Sequence, residues 1–527
     1  MTRVLLTRTF LVAIGLLLGA LAAEMWIRLF PERPGLDDDR PAYLAGPPRI
    51  SPFRERPEIP TKRPGVFRIV VLGDSFTWGA NVQMNYTYPK LLESLLKRAG
   101  GEYEVYNFGV NGANTADEVD LLDKLASHEP DLFLLGYFLN DAAADPELGE
   151  PVPESSWLGT HSRLMDFLER RLWARQLAAS QLSYFQSLYQ WGGPSWQAHR
   201  RTVGRLARSA ARLGVPLQVV IWPHLAFSLD EKYPFRDIHS RLRALFAEQH
   251  LPALDLLEVF AGRDHDRLQA VPRYDPHPSE IAHRLAAEAV FDWLKKTQPV
   301  VAPAVQAKTE TTAGLRLVFL GDLVDGEGAV LRAQSYPRHV EWLIRTACRE
   351  AAQVDVVRTR DPVGELRRKL LNRPEVIVVE KGAPDFQELA TIQRESGVRL
   401  LVLRWPNLDS PMDLTSQKLP DVATLDLAGI FRGKDLRRLQ ADPGRDPRPN
   451  EIAHRMAGEA VFDWLRANEP RVAESLVEPR LHPNPPHWRR WQDRVSSPSW
   501  AFSSLWARRC APGSTGSSVT TFSGALR

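Results

Sequence analysis

Short, nearly continuous apolar runs bounded by glycine or proline recur along the chain: "FRIVVLG" at 67–73, "YEVYNFG" at 103–109, "DLFLLGY" at 131–137 and "LQVVIWP" at 217–223. Runs of this length without polar alternation predict parallel strands covered on both faces. Between them lie stretches with helical spacing, such as "YPKLLESLLKRAG" at 88–100, closed by a glycine. Another such stretch starts at Pro278 and carries Ile281, Leu285, Ala289 and Trp293 along one face. Strands alternating with amphipathic helices predict an α/β fold of three layers around a parallel sheet.

The pattern occurs twice. "DPHPSEIAHRLAAEAVFDWL" (275–294) returns as "DPRPNEIAHRMAGEAVFDWL" (446–465), with 16 of 20 positions identical. "LDLLEVFAGRDHDRLQA" (254–270) matches "LDLAGIFRGKDLRRLQA" (425–441) without a gap, "GVPLQVVIWPHL" (214–225) matches "GVRLLVLRWPNL" (397–408), and "PDLFLL" (130–135) matches "PEVIVV" (374–379). Four collinear matches mean a tandem duplication. Two lobes follow, 67–298 and 314–470, joined by a linker at 299–313, the second lobe being truncated. The first has an extra segment near 145–205 that includes "SRLMDFLERRLWARQLAASQLSYFQSLYQWGG". Its aromatics Trp173, Tyr184, Phe185, Tyr189 and Trp191 suit either a helical insertion packing its own apolar face or a cap lining a site.

The ends differ in character from the lobes. Arg3 and Arg8 precede the uncharged stretch "TFLVAIGLLLGALAA", and the apolar character resumes in "MWIRLF" at 25–30. Fifteen residues suit a signal-peptide core, with "ALA" at 20–22 as a cleavage site, and are short for a spanning helix. The resumption, with Trp26 and Arg28 as interfacial residues, favours an uncleaved membrane anchor over 1–30. Either reading places the body of the chain on the exported side of a membrane. Residues 31–66, rich in Pro and Arg, read as an extended linker, and 471–527 as a disordered tail.

Composition adds exclusions. With 44% hydrophobic and 25% charged residues, 527 residues can build sizeable cores, and a net charge of +3 gives no case for a nucleic-acid partner. Cys348 and Cys510 are far apart and match no metal-ligand spacing, and no motif calls for a cofactor.

Candidate chemistry lies at the ends of the first lobe's strands. "GDS" at 73–75 follows the first run, so Gly73 permits a tight turn and Ser75 starts a helix at the carboxyl edge of the sheet, with the helix dipole favouring negative charge there. By itself Ser75 reads better as a plain N-cap serine, and only the other blocks change that. "NFGVNGANT" (107–115) puts Gly112 in a loop after the second run, "GYFLND" (136–141) puts Asn140 after the third, and "DPHP" (275–278) puts His277 before the last helix. His224 and His283 are isolated histidines, which are more often structural than catalytic.

This set resembles the SGNH, or GDSL-type, hydrolases, whose four blocks supply Ser, Gly, Asn and His in this order. The resemblance spans the first lobe. It implies a flavodoxin-like sheet, hydrolysis or transfer of an acyl group, Ser75 as nucleophile and His277 as base. It also implies an oxyanion hole made of the Ser75 and Gly112 backbone N–H groups and the Asn140 side chain. The family commonly places an aspartate three residues before the histidine, where this chain has Tyr274; Asp275, two before, takes the role of orienting His277, or else caps the helix. Asp74 and Asp141 read as loop-shaping partners. A serine needs such a base, and histidine's unperturbed pKa of about 6.5 suits the task.

In the second lobe Ser75 corresponds to Leu323 and His277 to Arg448, and no asparagine falls where Asn140 would. Leucine has no nucleophilic atom, and arginine is no base at any relevant pH. This copy reads as a structural lobe packing on its active neighbour as a second subunit would, or as a site where Arg448 grips an anionic or sugar ligand. The whole predicts a membrane-tethered, exported serine esterase acting on an ester-bearing small molecule, lipid or acetylated glycan. An O-acetyltransferase and an inactive glycan-binding scaffold are the alternatives.

Overall fold

The computed structural model describes residues 59–143, 180–272, 275–298, 314–326, 329–348, 352–380, 386–409 and 422–476, with short stretches at 14–15, 18–26, 54–55, 162 and 164–165. In the first lobe the apolar runs form β1 (Phe67–Gly73), β2 (Tyr103–Asn107), β3 (Leu132–Tyr137) and β4 (Leu217–Ile221), joined by β5 (Ala253–Asp255). They make one parallel sheet in the order β2-β1-β3-β4-β5, the flavodoxin-like arrangement. Helices α1 (Ser75–Trp78), α2 (Tyr88–Arg98), α3 (Thr115–Leu125), α4 (Pro194–Leu213) and α5 (Glu280–Thr297) follow the strands. α2 packs with α5 and α3 with α4, giving the two outer layers. Outside the sheet, β6 (Gln269–Val271) and β7 (Asp275–Pro278) form an antiparallel hairpin leading into α5.

The strands are apolar because both faces are covered: every residue of β3 is buried. One charge interrupts β1. Arg68 is 1% exposed, and its guanidinium meets the Glu104 carboxylate at 2.7 Å and donates to the His128 and Pro60 carbonyls at 2.7 and 3.0 Å. Such a charge is tolerated inside only because each of its three nitrogens is engaged.

The second lobe repeats the plan with β8 (Leu315–Gly321), β9 (Ala352–Arg358), β10 (Val376–Glu380), β11 (Arg399–Arg404) and β12 (Ala423–Asp426). Its order, β12-β11-β10-β8-β9, is that of the first sheet read from the other edge. Strand alternation divides its core: Leu317, Phe319, Val376 and Val378 enter one cluster, while Val318, Leu320, Ile377 and Val379 enter a second on the opposite face. Helix α6 (Tyr336–Ala347) packs with α7 (Glu451–Asn468), as α2 does with α5, and β13 (Gln440–Asp442) pairs with β14 (Asp446–Pro449), as β6 does with β7.

Part of the insertion can be placed. Residues 180–188 are helical, and Phe185 and Tyr189 are fully buried. Phe185 lies edge-on to Phe138, and the Tyr189 hydroxyl bonds the Tyr137 hydroxyl at 2.6 Å and the Leu139 carbonyl at 2.9 Å. This part packs into the first lobe's core, whereas Trp191 is 72% exposed. A cap would have to come from 144–179, which, like Trp173, lies outside the described residues apart from three positions. The anchor segment, most of the 31–66 linker, the 299–313 linker and the tail beyond 476 also lie largely outside them. Among the described residues no helix is long and apolar enough to cross a membrane.

Candidate active site

Strand register brings the candidate loops to one edge. Gly73 pairs with Gly136 and Val71 with Asn107, so β1, β2 and β3 end side by side and release residues 74–78, 108–114 and 138–142 together. At Gly73, φ is +144°, and a Cβ would meet Thr77 Oγ1 at 2.3 Å and the Gly136 carbonyl at 2.5 Å. Only glycine fits there. The chain then enters α1, capped by Asp74, whose Oδ1 accepts from the Phe76 N–H at 2.9 Å. The dipole expected of a helix at Ser75 is reduced, because α1 is a single turn of four residues. Asn107 braces this turn from β2, donating to the Thr77 carbonyl at 2.7 Å and accepting from the Gly109 N–H at 3.0 Å.

Against Ser75 stands the β6–β7 hairpin. His277 Nε2 lies 2.9 Å from Ser75 Oγ, and His277 Nδ1 lies 2.5 Å from Asp275 Oδ1. The spacing of two works because His277 sits on a strand rather than in a loop: residues i and i+2 share one face, so the carboxylate reaches the ring beside it. Asp275 Oδ1 also accepts from the His277 backbone N–H at 3.0 Å, and the Asn81 side chain donates to Oδ2. Burial works against the Asp275 carboxylate, but the hydrogen bond and charge of His277, with the other two donors, outweigh it and hold the group below the usual aspartate range. Phe76, 2% exposed, stacks on Phe138 with ring centroids 3.9 Å apart and lies 5.4 Å from the His277 ring, walling one side of it.

The remaining candidates lie at the same edge. Asn140 is half-buried in the turn Leu139–Ala142, beside the Asp74 carboxyl next to Ser75, whose charged form it favours. The loop of Gly112 is tied to the end of β1 by the Val110 N–H, which donates to the Gly73 carbonyl at 2.9 Å. Gly112 has φ +76° and open space where a Cβ would go, so backbone conformation rather than close approach calls for glycine. Close approach belongs to Gly109, whose Cβ would meet the Trp78 nitrogen at 2.3 Å.

Buried carboxyls surround this turn. Burial pushes Asp74 up to about 6, against hydrogen bonds from the Phe76 N–H and Asn140 and the charge of His277. Burial, with repulsion from Asp74 and neighbouring carboxyls, drives Glu118 and Asp141 well above the ordinary carboxylate range. Glu118, on α3, is fully buried with both oxygens lacking hydrogen-bond partners among the described residues; in sequence it is one more polar position of an amphipathic helix. Asn81 was equally hard to foresee: its left-handed backbone, φ +63°, is seen only in the structure. His224 and His283 are structural: both are 0% exposed, burial lowers each to about 3, and His283 Nδ1 accepts the Tyr88 N–H at 3.2 Å.

The corresponding edge of the second lobe is closed to this chemistry. Leu323 stands at the serine position, and its backbone N–H donates to Glu380 Oε2 at 2.7 Å. Glu380 replaces Gly136, where a Cβ would meet Thr77 Oγ1 at 2.1 Å and the Tyr88 hydroxyl at 2.5 Å. A carboxyl oxygen of Glu380 therefore holds the N–H that an oxyanion would need. Arg448, at the histidine position, is gripped by Asp446, with Nε to Oδ1 at 2.9 Å and Nη2 to Oδ2 at 2.6 Å. Burial raises Glu380 to about 8, opposed by the Leu323 N–H and Trp405. The native state therefore holds a proton that the unfolded chain, near 4.5, releases, and stability falls as pH rises from about 5 through 8. Thermal melts of the full chain should show Tm falling less between pH 6 and 9 in Glu380→Gln than in the wild type; parallel curves would refute this origin.

Residues 71–285 match the GDSL-like Lipase/Acylhydrolase family. No curated protein matches the chain. Solved structures with a similar course include TesA, at 19% identity over 44% of this chain and 98% of its own, with a TM-score of 0.29. The psychrotrophic esterase EstA from Pseudoalteromonas sp. gives 15%, 44%, 97% and 0.28. A catalytic mutant of Axe2, an acetylxylan esterase from Geobacillus stearothermophilus, gives 14%, 46%, 97% and 0.29. Likeness at this level carries nothing about the ester that this chain takes. The family match covers the Ser75 turn, the Asn140 turn and the His277 hairpin together, so residues 71–285 carry a GDSL-like lipase/acylhydrolase domain, that of an ester hydrolase.

Proposed function

We propose that the chain is a serine esterase working through an acyl-enzyme at Ser75, on an O-acetylated glycan or a lipid ester at the cell envelope. The observation that carries this is the relay Ser75 Oγ–His277 Nε2 at 2.9 Å and His277 Nδ1–Asp275 Oδ1 at 2.5 Å. Ser75 attacks the ester carbonyl while His277 takes its proton, Asp275 holding the Nδ1–H tautomer and facing the positive ring that forms. The negative oxygen of the tetrahedral intermediate is received by the Ser75 and Gly112 backbone N–H groups and the Asn140 amide, neutral donors at the sheet edge. His277 then protonates the departing alcohol, and a water activated by the same ring cleaves the acyl-enzyme. The envelope setting rests on the apolar N-terminal stretch after Arg3 and Arg8.

The second lobe serves the first as a built-in partner without hydrolytic activity. Its closed edge and the hydrogen bonds between lobes support this role. A fluorophosphonate probe should label the wild-type chain and leave Ser75→Ala unlabelled. Labelling of neither would remove the esterase reading; labelling of Ser75→Ala would assign the nucleophile elsewhere.

A further inference from the structure

Arginines cross between the lobes in matched pairs. Arg267, beside β6, donates from Nη2 to the Gln440 and Ala441 carbonyls of β13 at 2.7 and 3.1 Å. Its counterpart Arg438 donates from Nη2 to the Gln269 and Ala270 carbonyls of β6 at 2.9 and 2.6 Å. Arg284 on α5 pairs with Glu451 on α7, and Arg455 on α7 pairs with Glu280 on α5 at 2.9 Å. The three side chains from each copy, Arg267, Glu280 and Arg284 against Arg438, Glu451 and Arg455, occupy equivalent repeat positions, so the contact is self-complementary, as in a two-fold dimer.

The two halves of this contact differ in what they hold. Arg438 and Arg455 reach into the first lobe on either side of His277. The carbonyls that Arg438 grips belong to β6, whose Gln269 and Val271 pair with Pro278 and Asp275 of β7. Glu280, gripped by Arg455, begins α5 three residues beyond His277, and the two side chains are 3% and 1% exposed. Arg455 also meets Glu459 at 2.8 Å, and Glu459 accepts from Gln83 on the segment leaving the nucleophile turn at 2.7 Å. The second lobe thus touches the limb carrying the base and the limb that follows the nucleophile. Arg267 and Arg284 make the converse contacts on a hairpin whose counterpart of His277 is Arg448, where no reaction occurs.

We infer that the second lobe positions the catalytic hairpin of the first, with Arg438 and Arg455 as positioning residues that hold His277 in reach of Ser75. The inference rests on the esterase reading above. A two-stranded hairpin outside the main sheet has little stability of its own, so its placement depends on what grips it. Arginine suits the task, since its planar fork keeps its charge and spans two acceptors. A shift of about 1 Å in the base costs on the order of a hundredfold in turnover.

The test compares Arg438→Gln with Arg267→Gln in the full chain, using 4-nitrophenyl acetate, melting temperature and amide hydrogen exchange of residues 269–279. The two changes remove equivalent hydrogen bonds from one interface and should lower Tm alike. Arg438→Gln should lower kcat ten- to a hundredfold with KM changed less than about threefold, while Arg267→Gln stays within about threefold of wild type. Arg438→Lys, which keeps the charge, should fall between, and it replaces Arg438→Gln if that variant does not fold. Exchange of the 269–279 amides should accelerate in Arg438→Gln and not in Arg267→Gln. Equal kinetic losses in the two variants, or no loss in either, would overturn the inference. If the wild type hydrolyses nothing, the esterase reading fails on its own, and equal exchange of the hairpin in both variants then overturns the positioning role separately.

Discussion

Ser75→Ala should lower kcat/KM for a short-chain 4-nitrophenyl ester by at least about 10⁴-fold with little change in Tm. The size follows from the site: the alanine side chain has no nucleophilic atom, and the described second lobe puts leucine at the same turn. His277→Ala should cost as much, and the double variant scarcely more. Nucleophile and base act as one unit, and removing either ends the relay through the 2.9 Å contact. Steady-state kinetics of the three variants decide the matter. Losses that multiply in the double variant would mean that Ser75 and His277 act independently, contrary to the relay. A small loss in His277→Ala alone would assign the base elsewhere.

Asp275→Asn should lower kcat by about 10³–10⁴-fold while leaving KM near its wild-type value. The carboxylate accepts from His277 Nδ1 at 2.5 Å, leaving Nε2 free to take the serine proton. An amide there can present N–H to the ring and fix the opposite tautomer, with Nε2 protonated and useless as a base. Asn81→Ala should cost far less, about tenfold or below, because Asp275 keeps its contacts with the ring and the His277 N–H when that donor is lost. Equal effects of the two substitutions would mean that Asp275 serves the fold of the hairpin rather than the ring.

Tyr274, where the family's aspartate commonly falls, lies outside the described residues, and the contacts of Asp275 make it unnecessary for orienting His277. The spacing of two was readable as a departure, with Asp275 as orienter of the ring or as cap of the helix; the sequence did not fix the choice. It depends on β7 being a strand, and four residues between prolines and a helix carry no periodic signal long enough to say so. Asn81 and Glu118 were hidden for a related reason. Asn81 is 194 residues from Asp275 in the chain, and nothing local marks that contact.

The matched arginines make the same point within one interface. Arg267 and Arg438 each open the same "RLQA" at equivalent repeat positions, so pattern alone gives both the same role. Docking sends each across to the other lobe, and only one of them lands on a hairpin with a histidine. Conversely, the repeat itself, the two parallel sheets and the turn at Gly73 were legible in the sequence, because apolar periodicity and glycine placement report on backbone and burial within a few residues.

By itself, then, the order of residues determined two α/β lobes, the strand ends at which chemistry could gather, and the loss of a nucleophile from the second. Those properties are set by local sterics and by the removal of apolar runs from water, which each segment encodes alone. The tertiary structure decided which carboxylate faces His277, that Glu380 occupies the N–H of Leu323, and which lobe's arginines hold the reactive hairpin. Hydrogen bonds and charges act over a few ångströms, and only the packing of segments distant in the chain brings those partners within that range.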